Sequence, residues 1–137
     1  MLYLDSSAIV KLVSREPETT ALVDVVRDDP ALISSALSWT EVVRAVRRGG
    51  GAIDRAETVL RGLAMVPIDE GIVRSAAALP PPALRTLVAI HLATALSLAG
   101  DVSRLITYDG RLAEAAAAAG VDVAAPGAPR EDVVTAG

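Results

Sequence analysis

The 137-residue chain has no cysteine, no phenylalanine, one histidine and one lysine. Without cysteine there is no disulfide, no zinc–thiolate centre and no thiol nucleophile, a pattern that fits a reducing compartment. With His91 as the sole histidine, a multi-histidine zinc site is excluded as well. Any metal site must then be made of oxygen ligands, which favours Mg²⁺ or Mn²⁺. The large aromatics are Tyr3, Trp39 and Tyr108 alone, so the core must be aliphatic. Aromatic platforms for stacking single-stranded bases are nearly ruled out. Long apolar runs are missing too. The longest, Leu87 to Ala99, is interrupted by His91, Thr94 and Ser97, and falls short of the ~20 residues a membrane helix needs. No basic stretch precedes Asp5, so no signal peptide is expected. A soluble, cytoplasmic protein without membrane association is the expectation.

What the chain does contain is an alternation of short β-like runs with helical ones. Strands are expected at Leu2–Leu4, Leu32–Ser34, Met65–Ile68, Leu105–Thr107 and Val121–Val123. Helical spacing covers Ser6–Val13, Glu18–Arg27, Ser38–Arg48, Asp54–Leu63, Glu70–Leu79, Thr86–Leu98 and the alanine-rich stretch to Ala119. Ser38 is placed to cap its helix with Glu41 three residues on, and Gly49-Gly50-Gly51 ends it. This order predicts an α/β domain over residues 1–125, a central parallel sheet flanked by helices on both faces. Residues 126–137 read as a flexible tail. The net charge of −4 argues against a general coater of nucleic acid, while leaving room for a local basic face.

Ligands of such sheets bind at the carboxyl ends of the strands. Asp5 and Asp109 both fall there, and Glu41 lies in the first turn of a helix that can approach from the side. Three clustered carboxylates repel one another and raise one another's pKa, a conflict that a hard divalent cation removes. Such a cation supplies what phosphodiester hydrolysis requires, an activated water and charge neutralisation at the phosphoryl oxygens. Ser6 and Thr107 set hydroxyls beside Asp5 and Asp109, where they would orient a carboxylate or a bound water. A strand-end Asp also serves as a helix N-cap, and Glu41 as a capping-box partner. Spacing alone leaves both readings open.

Four segments add to the spacing. Leu2-Tyr3-Leu4-Asp5-Ser6-Ser7-Ala8, Trp39-Thr40-Glu41-Val42, Ala89-Ile90-His91-Leu92-Ala93-Thr94-Ala95 and Ile106-Thr107-Tyr108-Asp109 resemble, in order, the motifs of PIN-domain proteins. The VapC toxins of bacterial toxin–antitoxin pairs are the best likeness, over about residues 1 to 125. The resemblance implies a Mg²⁺- or Mn²⁺-dependent ribonuclease cutting structured RNA such as tRNA or ribosomal RNA. It also implies a homodimer held inactive by a cognate VapB-type antitoxin in a larger complex. Asp5, Glu41 and Asp109 fall on the family's acidic, metal-binding and catalytic positions. One position departs: where relatives carry an Asp before the Ala-Ile-His-Leu-Ala-Thr-Ala helix, this chain has Val88. A valine cannot ligate a cation or accept a proton. Val88 is therefore expected to weaken metal binding and cleavage, whether it is a natural degeneration, an acquired change, or offset by another acid such as Asp101. A non-catalytic protein of the same fold, acting only by binding its antitoxin, is the rival reading.

Several other residues carry two readings. His91, one turn beyond Val88, either faces the crevice or, as expected here, lies partly exposed with a solvated ring. Arg44, Arg47 and Arg48 share a helix face that would hold RNA phosphates or stay solvated, with Arg44 pairing to Glu41. Arg85 and Arg111 are similarly ambiguous. Trp39 is expected to anchor its helix. The aliphatic helices between Ile53 and Leu79 would offer a groove to an amphipathic antitoxin helix. Two other classes with strand-end aspartates are disfavoured. A response-regulator-like receiver needs an acid pair after the first strand and a late lysine, whereas Ser6-Ser7 and the lack of lysine after Lys11 supply neither. A haloacid-dehalogenase-type phosphatase needs an Asp-x-Asp start, which Asp5-Ser6-Ser7 does not give.

Overall fold

The structure, a computed structural model, describes residues 1–129. Five strands, β1 (Leu2–Leu4), β2 (Leu32–Ser35), β3 (Ala64–Val66), β4 (Arg104–Ile106) and β5 (Val123–Ala124), form one sheet in the order β3-β2-β1-β4-β5. Every pairing is parallel, with Leu2 opposite Leu32 on one side of β1 and opposite Arg104 on the other. Seven helices connect the strands: α1 (Ser6–Val13), α2 (Thr19–Asp28), α3 (Leu37–Arg48), α4 (Ile53–Arg61), α5 (Glu70–Ala78), α6 (Thr86–Ser97) and α7 (Gly110–Ala118). The expected parallel sheet with helices on both faces is thus what forms.

The pleat sorts the core. Alternate residues of a strand point to opposite faces, so Leu2 and Leu4 of β1 join one apolar cluster while Tyr3 joins the other. The first cluster packs the sheet against α1, α3 and α4 through Ile9, Val42, Val46 and Leu60. The second packs its reverse face against α6 and α7 through Leu92, Ala95, Leu112 and Ala116. Trp39 lies half-buried against the first cluster, as a helix anchor should. With no Phe available, small alanines let these helices approach the sheet closely, and the packing is aliphatic throughout.

β1 sits at the switch point of the sheet, where the chain order reverses direction, and the C-terminal ends of β1 and β4 therefore open a crevice. Asp5 follows β1 there, and Asp109 follows β4. One expectation is corrected locally. Helix α3 starts at Leu37, so Ser38 lies inside it rather than capping it. Its hydroxyl is buried against Ser34 Oγ at 2.7 Å, while Ser35 Oγ accepts the Leu37 amide at 3.1 Å. Residues 126–129, the described start of the segment read as a tail, make contacts with the domain. Tyr108 Oη donates to the Pro126 carbonyl at 2.7 Å, and Gly127, at φ +77°, passes beside Ala21 and Glu18. A side chain there would meet Ala21 Cβ at 3.0 Å, so glycine is needed both for its conformation and for the close approach. The rest of that tail, 130–137, lies outside the described residues.

Candidate active site

Asp5 is 3% exposed and fully engaged by the protein. Its Oδ1 accepts the Ser7 hydroxyl at 2.7 Å and the Ala8 amide at 3.0 Å, the second bond capping α1. Its Oδ2 accepts the Thr107 hydroxyl at 2.6 Å. Burial holds this carboxyl above its ordinary range, while Ser7, Thr107, the nearby His91 and the Ala8 amide pull it part of the way back. The neighbouring hydroxyl that serves Asp5 is therefore Ser7. Ser6, expected in that role, begins α1 and faces the cleft instead. The helical turn explains the exchange: the third residue of the Asp-x-Ser turn folds back over the cap, whereas the second points outward.

Thr107 ties Asp5 to the β4 end. The same hydroxyl oxygen that donates to Asp5 accepts the Asp109 amide at 3.0 Å. The side chain of Asp109 caps α7, its Oδ1 accepting the amides of Arg111 at 2.9 Å and Leu112 at 3.3 Å. Asp69 caps α5 in the same manner through the Ile72 amide. Capping is thus a repeated use of Asp after a strand in this fold.

Glu41, on α3, has a different partner from any the sequence suggested. Its Oε1 meets His91 Nε2 at 2.7 Å, and His91 Nδ1 meets Tyr3 Oη at 2.8 Å. His91 is 3% exposed, which overturns the expectation of a solvated ring. The reason is the sheet: β1 sends Tyr3 into the α6 face, and its hydroxyl needs a partner inside an aliphatic core. Because a carboxylate only accepts, His91 Nε2–H donates to Glu41, and in the neutral ring Nδ1 accepts the Tyr3 hydroxyl. Nothing in the spacing of three residues 38 and 50 positions apart could have announced this bridge. Arg44 does not pair with Glu41 and makes no ion pair among the described residues.

The site thus joins Asp5, Thr107 and the Asp109 backbone on one side, and Glu41, His91 and Tyr3 on the other. It does not bring Asp5, Glu41 and Asp109 to a common point. Among the described residues, no three His, Asp or Glu side chains stand close enough to hold one cation. Among the described residues, no buried side-chain oxygen is left without a partner either. The ligand chemistry suits a hard divalent ion, but the geometry does not fit one. Val88, on the first turn of α6, is half-buried against the apolar cluster and offers no oxygen. Asp101 cannot replace it. Its carbonyl binds the amino group of Met1 at 3.0 Å, beside the opposite end of β1 from Asp5.

Beside the acids lies an open cleft of about 950 Å³, lined by Ser6, Ser7, Glu41, Arg44, Arg48, Arg85 and Tyr108 among others. Arg47 points elsewhere, and Arg111 borders a separate pocket near Pro80–Leu84. Lys11 closes one wall. Its ammonium binds Glu18 at 3.0 Å and Glu16 at 3.5 Å and stands 4.8 Å from the Tyr108 ring. Burial, with Glu18 and Asp5 nearby, pushes the Tyr108 phenol up to about 12, so it remains a donor to Pro126.

The parallel sheet thus sets Asp5 and Asp109 at its switch point, with Glu41 on α3. The chain belongs to the PIN domain family, whose model matches residues 2–118. It is 46% identical to Ribonuclease VapC46 of Mycobacterium tuberculosis over 126 residues, covering 91% of this chain and 97% of that protein. It is equally similar, at 46% over 136 residues, to Ribonuclease VapC35 of the same organism, covering 95% of this chain and all of that one. Among solved structures, a chain of a toxin–antitoxin complex from Klebsiella pneumoniae superposes with a TM-score of 0.63 at 22% identity, covering 80% of this chain and 87% of that one.

Proposed function

We propose that this chain is the toxin component of a VapBC-type pair, built on a ribonuclease fold that acts on RNA and impaired in cleavage by Val88. The observation that carries the reading is 46% identity to proteins named ribonuclease VapC over nearly the whole chain. Asp5 and Asp109 at the strand ends, with Glu41 on α3, agree with it. Mg²⁺ or Mn²⁺ is the cofactor the family implies. With Val88 in place the residues present do not assemble a site for it, and no step is derived through the ion. The residues themselves still do definable work. Ser7 and Thr107 fix the Asp5 carboxylate, His91 fixes that of Glu41, and Arg44, Arg48 and Arg85 meet the phosphates of the substrate.

The partners follow the same reading: RNA, such as tRNA or ribosomal RNA, in the cleft, a second copy of the chain, and a VapB-type antitoxin. The apolar groove between α5 and α6, bordered by Val73 at 52% exposure, Ala77, Leu84 and Ile90, offers the antitoxin an amphipathic-helix seat. The rival reading, a PIN-fold protein that only binds antitoxin, is favoured by the same Val88. One assay separates them: cleavage of a structured RNA in Mg²⁺ or Mn²⁺ by this chain and by Val88→Asp. Cleavage restored by the substitution supports the ribonuclease reading. An inert Val88→Asp protein that folds and binds antitoxin supports the rival.

A further inference from the structure

We infer that this chain holds RNA in the cleft without a metal ion, through a three-arginine phosphate seat that outlasts the loss of cleavage. The inference rests on the RNA reading above and deepens it. Its first support is the disagreement between the family's cofactor and the residues present. The acids already have partners within the fold. Here both Asp5 oxygens, Glu41 Oε1 and Asp109 Oδ1 are taken by protein donors. No buried side-chain oxygen among the described residues lacks a partner. The acids are held by the fold itself, and nothing at the site calls for a cation to keep it assembled.

The second support is the charge of the cleft. The chain as a whole carries −4, yet this surface has the opposite sign. Of its cations, Lys11 is neutralised by Glu16 and Glu18. Arg44, Arg48 and Arg85 make no ion pair among the described residues, and all three are exposed. Against the four lining cations stand two lining acids, Glu16 facing Lys11 and Glu41 facing His91, so the lining carries an excess of two positive charges. Arg44 and Arg48 sit one turn apart on α3, about 6 Å along its axis, a step that matches neighbouring phosphates on one strand. Arg85, at the N-cap of α6, approaches from the other wall. Guanidinium forks grip phosphate oxygens by paired hydrogen bonds and need no ion between them. Seats spread across two elements suit a strand of phosphates better than a single small anion.

The test is anisotropy of a fluorescently labelled RNA hairpin with the full chain in EDTA. Three single-strand phosphate contacts give a log–log salt slope of about −2, so affinity should fall about 20-fold between 50 and 200 mM salt. Arg44→Ala, Arg48→Ala and Arg85→Ala should each reduce that slope by about 0.7. Arg47→Ala, on the same helix but outside the cleft, is the control for overall charge. The expected result is equal affinity in EDTA and in Mg²⁺, with the slope changing only in the three cleft variants. Binding that appears only with Mg²⁺ overturns the inference, as does an Arg47→Ala effect equal to that of Arg44→Ala. Polyaspartate binding as tightly as the RNA also overturns it, assigning the seat to an acidic protein segment. The ribonuclease reading fails separately, on absent cleavage by Val88→Asp, so the two outcomes remain distinguishable.

Discussion

His91→Leu is the substitution that most sharply separates a structural network from a solvated surface residue. The imidazole is buried and holds two short bonds, 2.8 Å to Tyr3 and 2.7 Å to Glu41. Leucine would fill much of the same space, so the loss comes from the stranded partners. Tyr3 is wholly buried, and leaving its hydroxyl unbonded costs about 1–3 kcal/mol. Glu41, with its side chain 22% exposed, recovers part of its loss from water and adds about 0.5–1 kcal/mol. The sum is a destabilisation of about 1.5–4 kcal/mol. Tyr3→Phe alone should cost about 1–2 kcal/mol, since His91 Nδ1 then loses its partner. The double variant removes both polar groups of that bond and should be less destabilised than the two singles together, by about 1 kcal/mol or more. Urea unfolding followed by the fluorescence of the single Trp39 measures all four proteins. Strict additivity, or a His91→Leu variant within about 0.5 kcal/mol of the parent, would refute the buried bridge.

The remaining expectations concern the acids and the docked tail. Because the folded pKa of Asp5 lies above its ordinary value of 3.8, its ionisation opposes folding. Its favourable contribution is complete below that value and is lost as pH rises through the elevated one. Asp5→Asn should therefore gain on the parent as pH rises from 4 to 8, and a pH-independent difference in urea midpoints would contradict this. Thr107→Val removes the donor to Asp5 Oδ2 and the acceptor for the Asp109 amide. It should raise the Asp5 carboxyl further, read by ¹³C NMR titration, and cost about 2 kcal/mol. In EDTA at pH 7, Val88→Asp should unfold at lower urea than the parent by about 1–2 kcal/mol, since a carboxylate then enters a half-apolar, already acidic place. Gly127→Ala should cost about 1 kcal/mol or more if the segment 126–129 docks as described, and nothing if it hangs free.

Much of the fold was legible because it depends on local signals. The apolar run Leu2-Tyr3-Leu4, capping aspartates after strands, and glycine stops after helices each act over a few residues. Their sum placed all seven helices and five strands to within a few positions. The expected Ser38 cap failed because an N-cap must be chosen against neighbours, and Ser34 claimed that hydroxyl from the adjacent strand end. The site was legible only in part. Asp5 and Asp109 could be brought near each other because strand ends in a parallel sheet share an edge. The partner of His91 could not be foreseen, since Tyr3 and Glu41 reach it only through tertiary packing. A composition with one histidine and no phenylalanine was the available clue: the lone imidazole of an aliphatic α6 sits where a buried tyrosine hydroxyl needs it. Nor could spacing reveal that Asp5, Glu41 and Asp109 would each accept a hydrogen bond from within the fold.

We propose that Val88 leaves this chain's carboxylates unable to gather a divalent ion. Calorimetric titration with Mn²⁺ of the parent and of Val88→Asp tests it directly. The account predicts heats indistinguishable from dilution for the parent and saturable binding for Val88→Asp. Equal, saturable binding by both proteins would contradict it.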